Sequence, residues 1–330
     1  MMENNDKTLN ELIEFLDSQP GSRPKAIADG LDISRQYVQK LLAKNKDRFN
    51  VSGSGPNRFY RNKLNYASID LETTDNVIAS SDDAKLIESN FYSLTPLGEE
   101  LIGINGFIKW CQARNLDIDS KQKEYVSILK KYYGNDFMPP IDFTDKLKTT
   151  FKDNALKKVW SVDFYNFEVF GKTKLGTQVM IAKQTGDNQT IESLIEKLKP
   201  ILKDIINKYT IKAVAFVSPT IQRQSQLMSK LENNVALALP RIKVHKVGAR
   251  ILIAQKTLRS LDDRILNASQ TFVVESSKKY KNILIIDDAL GSGATLNELA
   301  KQIIQRKIAT SCYGLVLVAS PSGYEVINEV

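Results

Sequence analysis

Cysteine and histidine are nearly missing from these 330 residues: there are two cysteines, Cys111 and Cys312, and a single histidine, His245. The sulfurs lie far apart in the chain with no second ligand near either. Neither a disulfide framework nor a cysteine/histidine zinc site can be assembled from them, and two buried thiols are expected. No run of about 18 apolar residues occurs, which argues against a membrane-spanning helix. Residues 1–10 are polar and acidic, with no apolar stretch behind a basic one, which argues against a secretory leader. The expectation is a cytoplasmic protein with no membrane partner.

What is present is ordinary for a folded chain. Hydrophobic residues make up 42% and charged residues 25%, which excludes wholesale disorder and fibrous repeats. A chain of this length exceeds one core, so at least two domains are expected. Lys and Arg number 46 against 38 Asp and Glu, a net charge of +8 that suits an anionic partner.

Leu9, Leu12, Ile13 and Leu16 recur at helical spacing up to the breaker Gln19-Pro20-Gly21. Residues 23–30 predict a second helix stopped by Gly30, and Ser34 is placed to cap a third whose apolar face is Val38, Leu41 and Leu42. Residues 49–60 alternate around Gly53-Ser54-Gly55-Pro56, as a two-stranded ribbon does. Three helices followed by a ribbon resemble a winged helix-turn-helix, assigned to residues 1–62. On that resemblance the third helix presents Ser34, Arg35, Gln36, Gln39 and Lys40, and the ribbon adds Arg58 and Arg61. Seven basic residues (35, 40, 44, 46, 48, 58, 61) face one Asp (47) across this stretch. Such a surface suits the phosphates and major-groove edges of double-stranded DNA. The competing possibility is a protein-contact module with solvated charges.

Residues 63–150 read as a linker followed by a helical hairpin. The stretch 63–90 is rich in Ser, Thr and Asp. A helix is predicted from Leu97, capped by Thr95 with Pro96 at its first position, and a second over residues 121–133. Phe107, Trp110, Tyr125, Tyr132 and Tyr133 are expected to pack rather than to cage a ligand.

Residues 151–330 alternate strands and helices. A β-hairpin is predicted over 160–183, a long amphipathic helix from Ile191 to Ile206, and buried strands at 213–217, 283–286 and 315–319, with a helix stripe through Leu296, Leu299, Ala300, Ile303 and Ile304. This order implies an α/β fold with a parallel, doubly wound sheet and ligand sites at the carboxyl ends of its strands. At one such end, Asp287 and Asp288 follow four apolar residues and lead into Gly291-Ser292-Gly293-Ala294-Thr295, which opens a helix. Amides of that turn suit a phosphate, hydroxyls of Ser292 and Thr295 can add donors, and the carboxylates suit sugar hydroxyls. A Walker loop would need Lys where Ala294 stands, and a dinucleotide fingerprint would need a third glycine where Leu296 stands.

This pattern resembles the signature of type I phosphoribosyltransferases, with Asp287, Asp288, Gly293 and Thr295 in its fixed places and Ser292 at a Thr/Ser position. Upstream, Gln255, Leu258, Arg264, Asn267 and Phe272 are similar to a series found in the ComF competence branch. The stretch from Thr220 to Gln226 departs from that branch, whose Arg-Gly-Phe-Asn-Gln run is missing. The resemblance covers roughly the last half of the chain. It implies 5-phosphoribosyl pyrophosphate or a nucleotide as ligand, with Mg2+ accompanying the pyrophosphate and no metal assigned directly to protein side chains. Catalytic or sugar-binding roles fall to Asp287 and Asp288, phosphate binding to residues 291–295, and pyrophosphate binding to Ser218, Thr220 and Arg223. Joined to a winged helix, the arrangement resembles purine-repressor-type regulators, which implies a ligand-responsive DNA-binding homo-oligomer. It also resembles defence effectors of the retron type, which implies an active phosphoribosyl- or ribosyl-transferring enzyme. A non-catalytic nucleic-acid-binding scaffold is the third expectation.

Overall fold

The computed structural model describes residues 2–19, 21–53, 55, 58–62, 82–133, 140–217, 227–235, 237–247 and 257–320. The chain divides into two compact units, residues 1–73 and 74–330.

In the first unit, helices α1 (Met2–Ser18), α2 (Pro24–Leu31) and α3 (Arg35–Lys44) precede an antiparallel ribbon of β1 (Phe49–Ser52) and β2 (Phe59–Asn62). Leu12, Leu16, Ile27, Val38, Leu41, Leu42 and Phe49 form its core, the burial of one stripe from each helix. Ser34 caps α3, its hydroxyl accepting from the Tyr37 amide at 3.2 Å. Gly30 does not stop α2. The helix runs on to Leu31, and Asp32 takes the left-handed turn at φ 50°. A Cβ at position 30 would meet the Phe15 ring at 2.1 Å, so the ring would have to shift for any other residue there. The ribbon is tied back to the helices by Asn62 Nδ2 donating to Asp17 Oδ1 at 2.9 Å, and Arg23 lies 4.8 Å over the Phe59 ring.

The second unit begins with α4 (Asp82–Asn90), a short hairpin of β3 (Tyr92–Leu94) and β4 (Glu100–Ile102), α5 (Gly103–Gln112) and α6 (Ile118–Tyr133). Two expectations fail here. Residues 82–90, taken as linker, form a helix whose Ile87 is fully buried. The helix predicted from Leu97 starts only at Gly103, because Thr95-Pro96-Leu97-Gly98 closes the hairpin. Thr95 Oγ1 accepts from the Glu99 amide at 3.0 Å, and Gly98 adopts φ +82°. A Thr-Pro pair starts a helix or a turn equally well, and a glycine two residues on selects the turn.

Next come β5 (Ile141–Asp142), α7 (Thr144–Thr150), β6 (Leu156–Phe164), α8 (Lys174–Thr185), α9 (Asn188–Lys208) and β7 (Ala213–Phe216). The chain continues through α10 (Leu227–Asn234), β8 (Arg241–Lys246), α11 (Leu261–Thr271), β9 (Phe272–Glu275), β10 (Tyr280–Leu290), α12 (Ala294–Gln305) and β11 (Ala309–Ala319). The hairpin predicted over 160–183 is instead a strand followed by a helix. Thr173 Oγ1 accepts from the Gly176 amide at 2.9 Å and caps α8. Gly176 lets the helix approach so closely that a Cβ would meet the Tyr165 carbonyl at 2.1 Å. With a helix there, β6 pairs with β5 and β11 instead.

Among the described residues the sheet has seven strands in the order β5-β6-β11-β10-β7-β8-β9. The five inner strands are parallel and the two edge strands antiparallel. Ile283 and Ile285 face one side with α12, Leu284 and Ile286 the other with α8, α9 and α10, so the apolar run is buried on both faces. The side of Ile283 also receives Ile87, Phe107, Tyr125 and Leu147, so α4 to α7 share one core with the sheet. Phe91 meets Phe107 edge-on at 5.2 Å and Tyr125 meets Phe170 at 4.9 Å, contacts worth about 0.5–1.5 kcal/mol each beyond burial. Cys111 and Cys312 are both buried. Among the described residues no helix is long and apolar enough to cross a membrane.

Candidate functional site

The parallel strands β6, β11, β10 and β7 end at one edge, and that edge collects the chemistry. Strand β10 does not stop at the acids; it continues to Leu290, with Ala289 opposite Val318 and Leu290 opposite Ala319. Asp288 lies on the side of Leu284 and Ile286, where α8 packs. There Asp288 meets α8: Lys183 Nζ lies 2.8 Å from Asp288 Oδ2, and the two side chains are 23% and 19% exposed. The Asp288 amide donates to Asp287 Oδ1 at 2.8 Å. Burial pushes the Asp287 carboxyl up to about 8, the neighbouring Asp288 charge adding to the rise, while the Asp288 amide and Lys183 work against it.

Beyond Leu290 the turn closes tightly. Ser292, Gly293 and Ala294 are buried, Gly291 and Thr295 partly so. Gly293 sits at φ +85° as the residue before α12 and offers no side-chain cap, so the amides of the first turn are not closed off by the residue that precedes them. Ser292 Oγ accepts a long 3.4 Å bond from the Ala294 amide, which turns this hydroxyl into the loop. The arrangement offers an anion the positive end of a twelve-residue helix, and offers hydroxyl groups two carboxyls a few residues away.

Two lysines belong to this edge that spacing did not single out. Lys183 is one. The other is Lys146 on α7, which donates to the Ser320 carbonyl at 2.8 Å, while the Ser320 amide donates to Leu290 O at 3.2 Å. Burial lowers the Lys146 ammonium to about 8. Both come from helices remote in sequence, so no local pattern marks them.

Of the expected pyrophosphate contacts, Ser218, Thr220 and Arg223 lie outside the described residues, as does Gln255. The chain does leave β7 beside the acids: the Val217 amide donates to Ile286 O at 2.9 Å. Arg264 donates from Nε to the Leu258 carbonyl at 3.0 Å, and Asn267 Oδ1 accepts from Thr271 Oγ1 at 3.5 Å, contacts that brace α11 and its approach. In the first unit, Arg35, Gln36, Gln39 and Lys40 are exposed together on α3, Ser34 is exposed at its cap, and Arg58 and Arg61 are exposed on the ribbon.

No family model matches the sequence, and no curated protein matches it. Several solved structures do match part of it. A hypoxanthine phosphoribosyltransferase from Staphylococcus aureus is 18% identical over 42% of this chain and 70% of its own, with a TM-score of 0.27. A hypoxanthine-guanine phosphoribosyltransferase from Bacillus anthracis is 15% identical over 42% of this chain and 74% of its own, at 0.26. The hypoxanthine phosphoribosyltransferase of Trypanosoma cruzi is 18% identical over 42% and 71%, at 0.25.

Proposed function

We propose that residues 151–330 form a phosphoribosyltransferase-like domain that binds 5-phosphoribosyl pyrophosphate or a ribose-phosphate nucleotide. Residues 1–62 are, on this proposal, a winged helix-turn-helix that binds double-stranded DNA, and the whole is a homo-oligomeric, ligand-responsive regulator. The observation that carries the ligand reading is the continuous path from Asp287 and Asp288 through a buried glycine turn into the amide end of α12. The 5-phosphate suits residues 291–295 and the ribose hydroxyls suit the two acids. For the DNA reading, the support is the exposed row Arg35, Gln36, Gln39 and Lys40 on a capped helix beside a basic ribbon.

Magnesium fits this donor set as a companion of the pyrophosphate. Two carboxylates, one of them already paired with Lys183, make a poor cage by themselves, and a small hard cation keeps its waters and takes ligand phosphates. When bound it would draw charge from the departing pyrophosphate. A second reading is an active phosphoribosyl- or ribosyl-transferring enzyme acting as a retron-type defence effector, supported by two carboxyls, Asp287 and Asp288, standing at the same strand end as the turn that opens α12.

Titration calorimetry of the full chain with magnesium and 5-phosphoribosyl pyrophosphate tests the ligand reading. Saturable binding that Asp287→Ala and Thr295→Ala abolish is expected, and binding that survives both variants refutes the assigned site. Pyrophosphate release with nucleobases added separates regulator from enzyme: turnover lost in Asp287→Ala establishes the second reading.

A further inference from the structure

Each of the two acids already spends one oxygen inside the protein. Asp287 Oδ1 takes the Asp288 amide at 2.8 Å, and Asp288 Oδ2 takes the Lys183 ammonium at 2.8 Å. Each carboxyl group has two oxygens, and among the described residues the second oxygen of each, Asp287 Oδ2 and Asp288 Oδ1, is left for a ligand. Two adjacent sugar hydroxyls need two such partners, and a protonated Asp287 serves as one, since a hydroxyl both donates and accepts.

Lys183 is held firmly enough to direct this. It lies in the last turn of α8, where a cation is favoured by the helix dipole. Gly186 ends the helix directly behind it in a left-handed turn, its amide donating to Ala182 O at 3.0 Å. At the other end, the Thr173 cap and the close approach of Gly176 to Tyr165 anchor α8 against the sheet. Without the ammonium, Asp288 would be free to rotate, and two neighbouring carboxyls would stand with less compensating charge.

We infer that Lys183 is a positioning residue of this site: by holding Asp288 Oδ2 it presents Asp288 Oδ1 to a sugar hydroxyl, and so makes the site select ribose over 2-deoxyribose phosphates. The inference rests on the ribose-phosphate reading given under Proposed function. A deoxy sugar leaves one oriented acceptor unmet, and sites built around a hydroxyl discriminate strongly against its absence.

The test is calorimetry on the full chain with ribose 5-phosphate and 2-deoxyribose 5-phosphate. The native protein should prefer the ribose compound by about tenfold or more. Lys183→Met should weaken ribose 5-phosphate by about tenfold while moving the deoxy compound by less than about twofold, so that the preference disappears, and Lys183→Arg should restore it. Equal weakening of both sugars would mark Lys183 as merely structural, and an unchanged preference would remove it from the site; either result overturns the inference alone. A native protein that binds neither sugar overturns the site reading with it. Should Lys183→Met fail to fold, Asp288→Asn carries the same comparison, and a preference that persists there overturns the inference equally.

Discussion

Leu147 lies directly over Gly293: a Cβ at position 293 would come within 3.3 Å of the Leu147 side chain, and the glycine holds φ +85°. Helix α7 is thereby clamped onto the turn that opens α12. Gly293→Ala is expected to destabilise the protein by about 1–3 kcal/mol through backbone strain and displacement of Leu147. Gly98→Ala is the control, since Gly98 has φ +82° but nothing within 4 Å. In urea unfolding, Gly293→Ala should cost more than Gly98→Ala, and equal costs would show that the clamp contributes nothing.

The Asp287 carboxyl binds a proton more tightly in the folded chain, at about 8, than its ordinary value of 3.8. Between those values the folded state carries a proton that the unfolded state has released, so stability falls as pH rises through that window. Asp287→Asn removes this dependence. Its stability relative to the native chain should therefore increase steadily from pH 5 to pH 8 in urea titrations of ligand-free protein. A flat difference across that range would place the carboxyl in an ordinary environment.

Phe107 is fully buried, with Phe91, Tyr125 and Phe170 rings around it, in the core that α4 to α7 share with the sheet. Phe107→Ala should cost about 3–5 kcal/mol. Because the core is common, tryptophan fluorescence from Trp110 and Trp160 should report the loss at one midpoint. Two separated midpoints would mean that the helices and the sheet unfold independently.

On α3, Arg35→Ala with Lys40→Ala should weaken duplex DNA binding and make it less salt-dependent. The slope of log affinity against log salt is expected to shrink by about 1–2 units, one for each lost phosphate contact. Unchanged affinity and slope in anisotropy titrations would move the first unit to protein contacts.

The second unit also protects its own sheet edge. Gln302 and Arg306, both contributed by the α12 region, donate at 2.8 Å to the Phe272 and Val274 carbonyls of β9. This satisfies an edge that would otherwise offer itself to another strand. Nothing in the spacing of Gln302 or Arg306 announced that role.

Legible in the residues alone were the alternation of buried strands and amphipathic helices, the capped third helix at Ser34, and the run from Ile283 through Thr295 that brings two acids to a glycine turn. These are local properties: side-chain period, capping hydroxyls and apolar runs act within a few residues. Tertiary structure decided the rest. Residues 82–90 form a helix whose Ile87 packs into the core shared with the sheet, and β6, followed by a helix and not by a second strand, lies between β5 and β11. Lys183 and Lys146 reach the carboxyl edge only after helices distant in the chain have docked. An ion pair between residues far apart in sequence leaves no periodic trace, since its energy exists only when the fold has brought both charges out of water together.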